Sequence, residues 1–349
     1  MNRNPRAVLA AIFMAGAAAM LGGCSPSSDA GADVDADADA GSEPLRDAGG
    51  PSEAAVRSPW RDAAEIAWSR LPAIPLQLYP QQSVEPGLEG ALSSADLRAT
   101  TDGERIALRV DWADPAEDRY SEAHTDRFAD SLAIQFAVDG GDTLPYVGMG
   151  EPERPVIVWF WRAGRGAESL VAHGFGTLAP NEGAAAPNVD AKRTPEGWSV
   201  TLSGSLPVDD LLLPVAVATW DGADGGRDGR KHLSSWHLLR SSEQPLDKAR
   251  QRGLARESHS GGDPRRGKEL VQERGCTACH RLPGGPDSHL GPDLTLAGGI
   301  HWPGYLRRSI TEPDAFIVPG VRYRDVPMPA LDLPESEVED ITSYLSSLR

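Results

Sequence analysis

The sequence predicts two domains of opposite class: an antiparallel β-sandwich over residues 59–242 and an all-α domain over residues 263–349. Three observations carry this. The front region repeats short runs in which apolar residues alternate with polar ones, broken by Gly, Pro and Asp. The last region spaces its apolar residues three and four apart, with capping residues at the helix ends. Between them, residues 243–262 are predominantly polar and read as a linker. A chain of 349 residues, 40 % of them hydrophobic, is long enough to build both cores.

Residues 1–23 read as a targeting segment rather than structure. Arg3 and Arg6 precede the apolar run Ala7 to Leu21, which is too short to span a bilayer. Leu21-Gly22-Gly23-Cys24 then resembles the bacterial lipobox. That resemblance implies a lipid anchor on Cys24 and, with Ser25 rather than Asp behind it, a periplasmic chain held at the outer membrane. An ordinary secretory signal would leave Cys24 incidental. Residues 24–58 are rich in Ala, Asp, Gly, Pro and Ser with little apolar bulk, and are predicted to form a disordered acidic tether. The net charge of −17 disfavours nucleic acid as a partner.

The strands follow from the alternation. In ADLRATTDGERIALRVDWAD, the Asp102-Gly103 turn is followed by Ile106, Leu108, Val110 and Trp112, which predicts a hairpin with one buried face. SLAIQFAVDG repeats the pattern with Leu132, Ile134, Phe136 and Val138. PVIVWFWRA, GWSVTLSG, PVAVATWDG and HLSSWHLLR read as further strands. The acidic stretch DWADPAEDRYSEAHTD lacks regular metal-ligand spacing and reads as a solvated loop. His124, His173 and His237 read as structural or surface residues.

In the last region Asp263 and Pro264 suit the N-cap and first position of a helix, and Gly275 its C-terminal stop. Val338, Ile341, Leu345 and Leu348 fall on one face of a closing helix. Between them Cys276-Thr277-Ala278-Cys279-His280 has the C-x-x-C-H pattern of covalent haem attachment. The two thiols would form thioethers to haem c, and His280 would bind its iron. Met328, stiffened by Pro327 and Pro329, is the candidate for the opposite ligand. The competing reading of the cysteine pair is a zinc site, which would need two further ligands such as His289 and His301. With CTACH, Gly291-Pro292-Asp293-Leu294, the Met loop, and Gly267 and Tyr344 at the positions where two helices cross, residues 263–349 resemble a class I monohaem cytochrome c. If Cys24 carries lipid, the three cysteines leave no disulfide.

Met149 draws the second cofactor. The chain has five methionines, and Met1, Met14 and Met20 leave with the signal, so only Met149 and Met328 remain. A sequence that otherwise avoids Met keeps these two for sulfur. Met149 stands between Gly148 and Gly150 in LPYVGMGEPERPVIVWFWRA. Residues 60–242 are similar to the haem b (gamma) subunits of type II enzymes of the dimethyl sulfoxide reductase family, the ethylbenzene dehydrogenase group. That resemblance implies a β-sandwich holding one non-covalent haem b between Met149 and Lys231, the latter in TWDGADGGRDGRKHLSSWHLL. Lysine binds iron only as the neutral amine, so the site would have to suppress its charge. The adjacent His232 is the alternative ligand.

The expected function is electron transfer through the two haems. By resemblance, the partners are a molybdopterin catalytic subunit with an iron–sulfur subunit on one side, and a further redox carrier on the other. No triad, phosphate loop or paired-carboxylate motif predicts catalysis on this chain. The alternative is a lipid-anchored carbohydrate- or ligand-binding sandwich with an attached cytochrome, using exposed Trp159, Trp161 and Trp220 to stack on sugars.

Overall fold

The computed structural model describes residues 55–57, 65–82, 93–138, 143–207, 212–240, 248–318 and 326–349. The signal segment, Cys24 and nearly all of the tether lie outside them. All described residues belong to one compact unit, Arg46–Arg349.

The front domain is a continuous 13-stranded sheet folded over on itself. Its strands are β1 (Ala55–Arg57), β2 (Ile74–Pro80), β3 (Ser93–Thr101), β4 (Arg105–Ala113), β5 (Ser131–Ala137), β6 (Val156–Arg162) and β7 (Gly166–Ala172). They continue as β8 (Ala179–Pro180), β9 (Asn188–Arg193), β10 (Gly197–Ser205), β11 (Leu212–Trp220), β12 (His232–Leu233) and β13 (His237–Arg240). The main path runs β8-β7-β6-β5-β11-β12-β2-β3-β4-β10-β9. The two-residue β12 joins the two leaves by pairing with β11 on one side and β2 on the other. Among the described residues every strand pairing is antiparallel except β1 with β3.

That exception corrects the tether's predicted boundary at residue 58. Strand β3 runs past its pairing with β2, which ends at Leu97, and so leaves Ala99–Thr101 open. Ala55–Arg57 takes that edge by backbone hydrogen bonding, which needs no apolar sequence. Strand β2, IPLQLYP, was hidden from a pattern reading by its two prolines.

The alternation places Leu132, Ile134, Phe136, Trp159, Trp161 and Val217 on the inner face of one leaf, against Leu76, Leu97, Leu108 and Leu202 of the other. Trp161 meets Trp112 and Trp198 edge-on. Trp159 and Trp161 are only 4 % and 3 % exposed, which removes the expected solvent-facing sugar platform. They sit in phase with the inward residues of β5, so they could not have faced solvent.

The predicted linker, residues 243–262, is not simply extended. It contains α1 (Lys248–Glu257), whose Leu254 and Glu257 are buried. The helical domain adds α2 (Pro264–Glu273), α3 (Ala297–Ile300), α4 (Pro303–Thr311) and α5 (Glu335–Ser346). Helices α2 and α5 cross at Gly267, where a Cβ would run into the Asp340 carbonyl and Tyr344. Leu270, Val271, Leu306, Val338, Ile341 and Leu345 form the core around that crossing.

A second apolar core is shared by both domains. Tyr79, Leu144, Val147 and Trp236 of the front domain pack with Leu254, Ile300 and Trp302. The Trp302 Nε1–H donates to the Trp236 carbonyl at 2.9 Å. Arg308 donates to the Leu144 carbonyl at 3.0 Å and pairs with Glu257 at 2.6 Å. Gly299 packs so closely on the Tyr79 ring that a Cβ there would overlap it. The two domains are therefore docked, not strung.

Candidate haem sites

The outer face of the β5–β6–β11 leaf forms the floor of a cavity of about 1140 Å³. Register explains the space. Phe160, Ala133, Ala218 and Leu233 form one cross-strand row, and Val158, Gln135 and Ala216 the next. Three alanines in the middle of these rows leave a broad hollow where longer side chains would fill it. Gln135 spends its amide on the Val147 carbonyl at 2.9 Å, which anchors the loop above.

That loop carries Met149. Residues Tyr146–Gly150 form a tight turn, with the Gly150 N–H donating to the Tyr146 carbonyl at 3.0 Å. Met149 has φ 80°, in the left-handed region that side chains avoid. Gly148 is required because a Cβ there would collide with the Tyr146 ring. Around the turn, the Trp236 Nε1–H donates to the Pro145 carbonyl at 2.9 Å, and the Tyr146 N–H donates to Glu151 at 2.7 Å. A strained methionine held this firmly points to a role for its side chain, and that side chain lines the cavity.

Lys231 lines the same cavity. It follows the loop after β11, is 7 % exposed, and has its Nζ 5.0 Å from the centre of the Trp220 ring. Burial drives its pKa down to about 8, with Asp228 pulling weakly the other way. A quarter of the residues in a protein are charged, yet few are buried this deeply, because an ammonium in an apolar wall is costly. His232 is half-buried and is not among the cavity-lining residues. The geometry therefore brings Met149 together with Lys231 rather than with His232. Trp220 is buried against Phe160 and belongs to the cavity wall.

The cavity also presents basic residues that the sequence reading did not single out. Arg127 and Arg227 are exposed at its rim and Arg162 is half-buried in its wall. Their cationic groups suit the carboxylates of a flat organic cofactor whose apolar body lies on the alanine floor. His124 and His173 are exposed and His237 is half-buried, its pKa lowered by desolvation to about 4.

The second site lies in the helical domain. Asp263 caps α2 by accepting from the Arg265 N–H, Pro264 is its first residue, and Gly275 turns the chain with φ 77°. A single turn at Cys276–Ala278 then sets both half-buried thiols and His280 on one short segment. His280 Nδ1 lies 2.8 Å from the Pro292 carbonyl. That acceptor requires the proton on Nδ1 and leaves Nε2 with its lone pair free for a metal. Gly291 packs against the same imidazole, with room for no Cβ, and its N–H donates to the Cys279 carbonyl at 2.8 Å. The GPDL segment thus acts as a clamp that fixes the ring.

Met328 is half-buried in the stretch that leads into α5. The zinc reading of the cysteine pair finds no support: His289 is exposed and faces Asp287, and His301 is half-buried and stacks against both Tyr146 and Tyr305. Among the described residues, the cysteines are in no cluster of three or more metal-binding side chains.

Comparison with known proteins finds two family matches. Residues 65–205 match the ethylbenzene dehydrogenase family and residues 264–349 the cytochrome c family. The chain is 32 % identical over 208 residues to the chlorate reductase gamma subunit of Ideonella dechloratans, covering 55 % of this chain and 81 % of that one. It is 29 % identical over 206 residues to the dimethylsulfide dehydrogenase gamma subunit of Rhodovulum sulfidophilum, 53 % and 76 % of the two chains. A respiratory nitrate reductase haem subunit described from Haloferax mediterranei is 31 % identical over 186 residues, 49 % and 64 %.

Proposed function

The chain belongs to the family of gamma subunits of type II dimethyl sulfoxide reductase-type enzymes, with a cytochrome c domain at its C-terminus, and on that footing we propose a di-haem electron-transfer subunit. Haem bound at both sites supplies reversible one-electron chemistry at iron. The chain's own residues do the rest. Met149 and Lys231 would hold a single non-covalent haem b. Cys276 and Cys279 would hold a single haem c through thioethers, with His280 and Met328 as the residues that would bind its iron. Lys231 binds as the neutral amine, which its apolar surroundings favour. Arg127 and Arg227 orient the cofactor by its carboxylates, and the alanine floor excludes water from its face. The front domain exchanges electrons with a molybdopterin catalytic subunit through an iron–sulfur subunit, and the helical domain exchanges them with a downstream carrier. Substrate chemistry belongs to the partner, not to this chain. In the same reading Cys24 carries lipid and tethers the subunit in the periplasm, at the outer membrane.

The observation that carries this reading is the meeting of Met149 and Lys231 in one cavity, each at a cost to the fold. A pyridine haemochrome assay before and after acid–acetone extraction tests it. The expected result is one extractable haem b and one retained haem c per chain. Haem c alone, in protein matured with excess haem, would overturn it.

A further inference from the structure

The acidic stretch after β4 was predicted to be a solvated loop. The structure corrects this, because the stretch delivers Asp114 into the protein at 2 % exposure. Asp114 follows β4, Asp130 precedes β5 and Asp221 follows β11. One carboxylate oxygen from each lies within 4.8 Å of the other two. We propose that these three residues, with Asp118 at their edge, bind one divalent cation of calcium's class, which ties together the two loops beside the front cavity.

An independent observation points to the ligand. Asp114 Oδ1 accepts from the Ala116 N–H at 3.0 Å, but Oδ2 is buried with no hydrogen-bond partner. The Oδ2 of Asp118 is buried and unpartnered as well. An uncompensated carboxylate oxygen is among the costliest groups to leave in an interior. Arg193 meets the need only in part: its Nη2 donates to the Asp114 backbone carbonyl rather than to the carboxylate. Its Nη1 forms a long ion pair with Asp114 Oδ1 at 3.9 Å, beyond hydrogen-bond reach, and leaves Oδ2 without a donor. Asp130 is held in place by the Asp118 N–H at 2.8 Å, the Trp198 Nε1–H at 3.0 Å and the Gly222 N–H at 2.9 Å. Gly222 lets the strand end lie against Phe128 and Asp118, where a Cβ would collide with both.

The chemistry of the donors sets the class. All are hard oxygens, with no thiol or imidazole, which suits calcium rather than zinc or copper. Oxygens on opposite sides of a calcium ion, each at about 2.4 Å, stand about 4.8 Å apart. The cation would also act at a distance. The loop from Asp114 to Asp130 supplies Tyr120, Arg127 and Phe128 to the cavity, and the loop from Asp221 supplies Arg227 and ends at Lys231.

Metal analysis of the full haem-loaded chain, desalted from millimolar calcium, is expected to find one calcium per chain. Chelation should lower Tm by several degrees and added calcium restore it. Asp221→Asn, a half-exposed position, should abolish both effects. Should that variant misfold, terbium offered to the unaltered chain should emit when Trp198 is excited and lose that emission to calcium. No bound calcium, no response to chelator and no calcium-displaceable emission would overturn the site; stoichiometric magnesium or zinc in its place would overturn the assigned class. Metal content is read independently of extractable haem, so failure here is distinct from failure of the haem b reading.

Discussion

Replacing Lys231 by leucine should move stability and cofactor binding in opposite directions. The buried amine has its pKa lowered from 10.5 to about 8. At about 1.4 kcal/mol per pH unit, holding the ammonium in the fold costs about 3 kcal/mol. The Trp220 ring, 5.0 Å from Nζ, returns about 1 kcal/mol as a cation–π contact. Leucine keeps the apolar contacts and removes both effects, so the chain lacking haem b should gain about 2 kcal/mol at neutral pH. The sign follows from linkage. A base with a depressed folded-state pKa destabilises the fold below that pKa, and the penalty disappears as pH rises from about 8 toward 10.5. The advantage of Lys231→Leu should therefore shrink over that window. Urea unfolding followed by tryptophan fluorescence measures it, and difference spectra after haem titration measure binding. A variant that is less stable than the parent, and binds haem b with an unchanged spectrum, would refute the reasoning.

Four further outcomes are expected. The parent's affinity for haem b should rise about tenfold per pH unit up to about pH 8 and then level, because ligation by the amine releases a proton; a flat profile in a Soret titration would count against Lys231. Met149→Gly should relieve about 1 kcal/mol of backbone strain at φ 80° while removing the extractable haem, whereas Met149→Ala should lose the haem without the gain in stability; unaltered haem content in both would remove Met149 as a ligand. Met328→Ala should leave the covalent haem attached and lower its potential in a redox titration, and an unchanged potential would show that another group is the ligand. Gly267→Ala should force α2 and α5 apart at Asp340 and cost about 1–3 kcal/mol, read as an earlier thermal transition of the helical domain.

What the sequence made legible was local and periodic. The Leu132-Ile134-Phe136 alternation placed an inner face, Asp263-Pro264 and Gly275 bounded α2, and CTACH with GPDL announced the clamp on His280. The scarcity of methionine singled out Met149 because thioether sulfur has few other reasons to survive such a composition. The rest depended on contacts between distant segments. Ala133, Ala216 and Ala218 say nothing individually; only strand register aligns them into a floor. Asp114 looked solvated because its neighbours in sequence are acidic, whereas its neighbours in space are the ends of β5 and β11. Helix α1 was missed because its segment is strongly polar, with Leu254 as the one large apolar residue it buries and Glu257 held by a distant Arg308. His301 offered no sign that it would cluster with Tyr146, at 5.4 Å, and Tyr305, at 4.6 Å.

That last cluster links the two proposed haem sites through one set of rings. Tyr146 begins the turn that presents Met149, and its ring rests on His301, Tyr305 and Phe316 of the helical domain. Those supports are translated late, and a domain built around a covalent cofactor consolidates only once that cofactor is attached. If the helical domain consolidates only with haem c attached, the wall behind Met149 would be completed after the front sheet, and a haem b bound there would rest on backing that depends on the covalent cofactor. A lesion at Cys276 or Cys279 would propagate backward along the chain and surface as a loosely held group at the other end of the subunit.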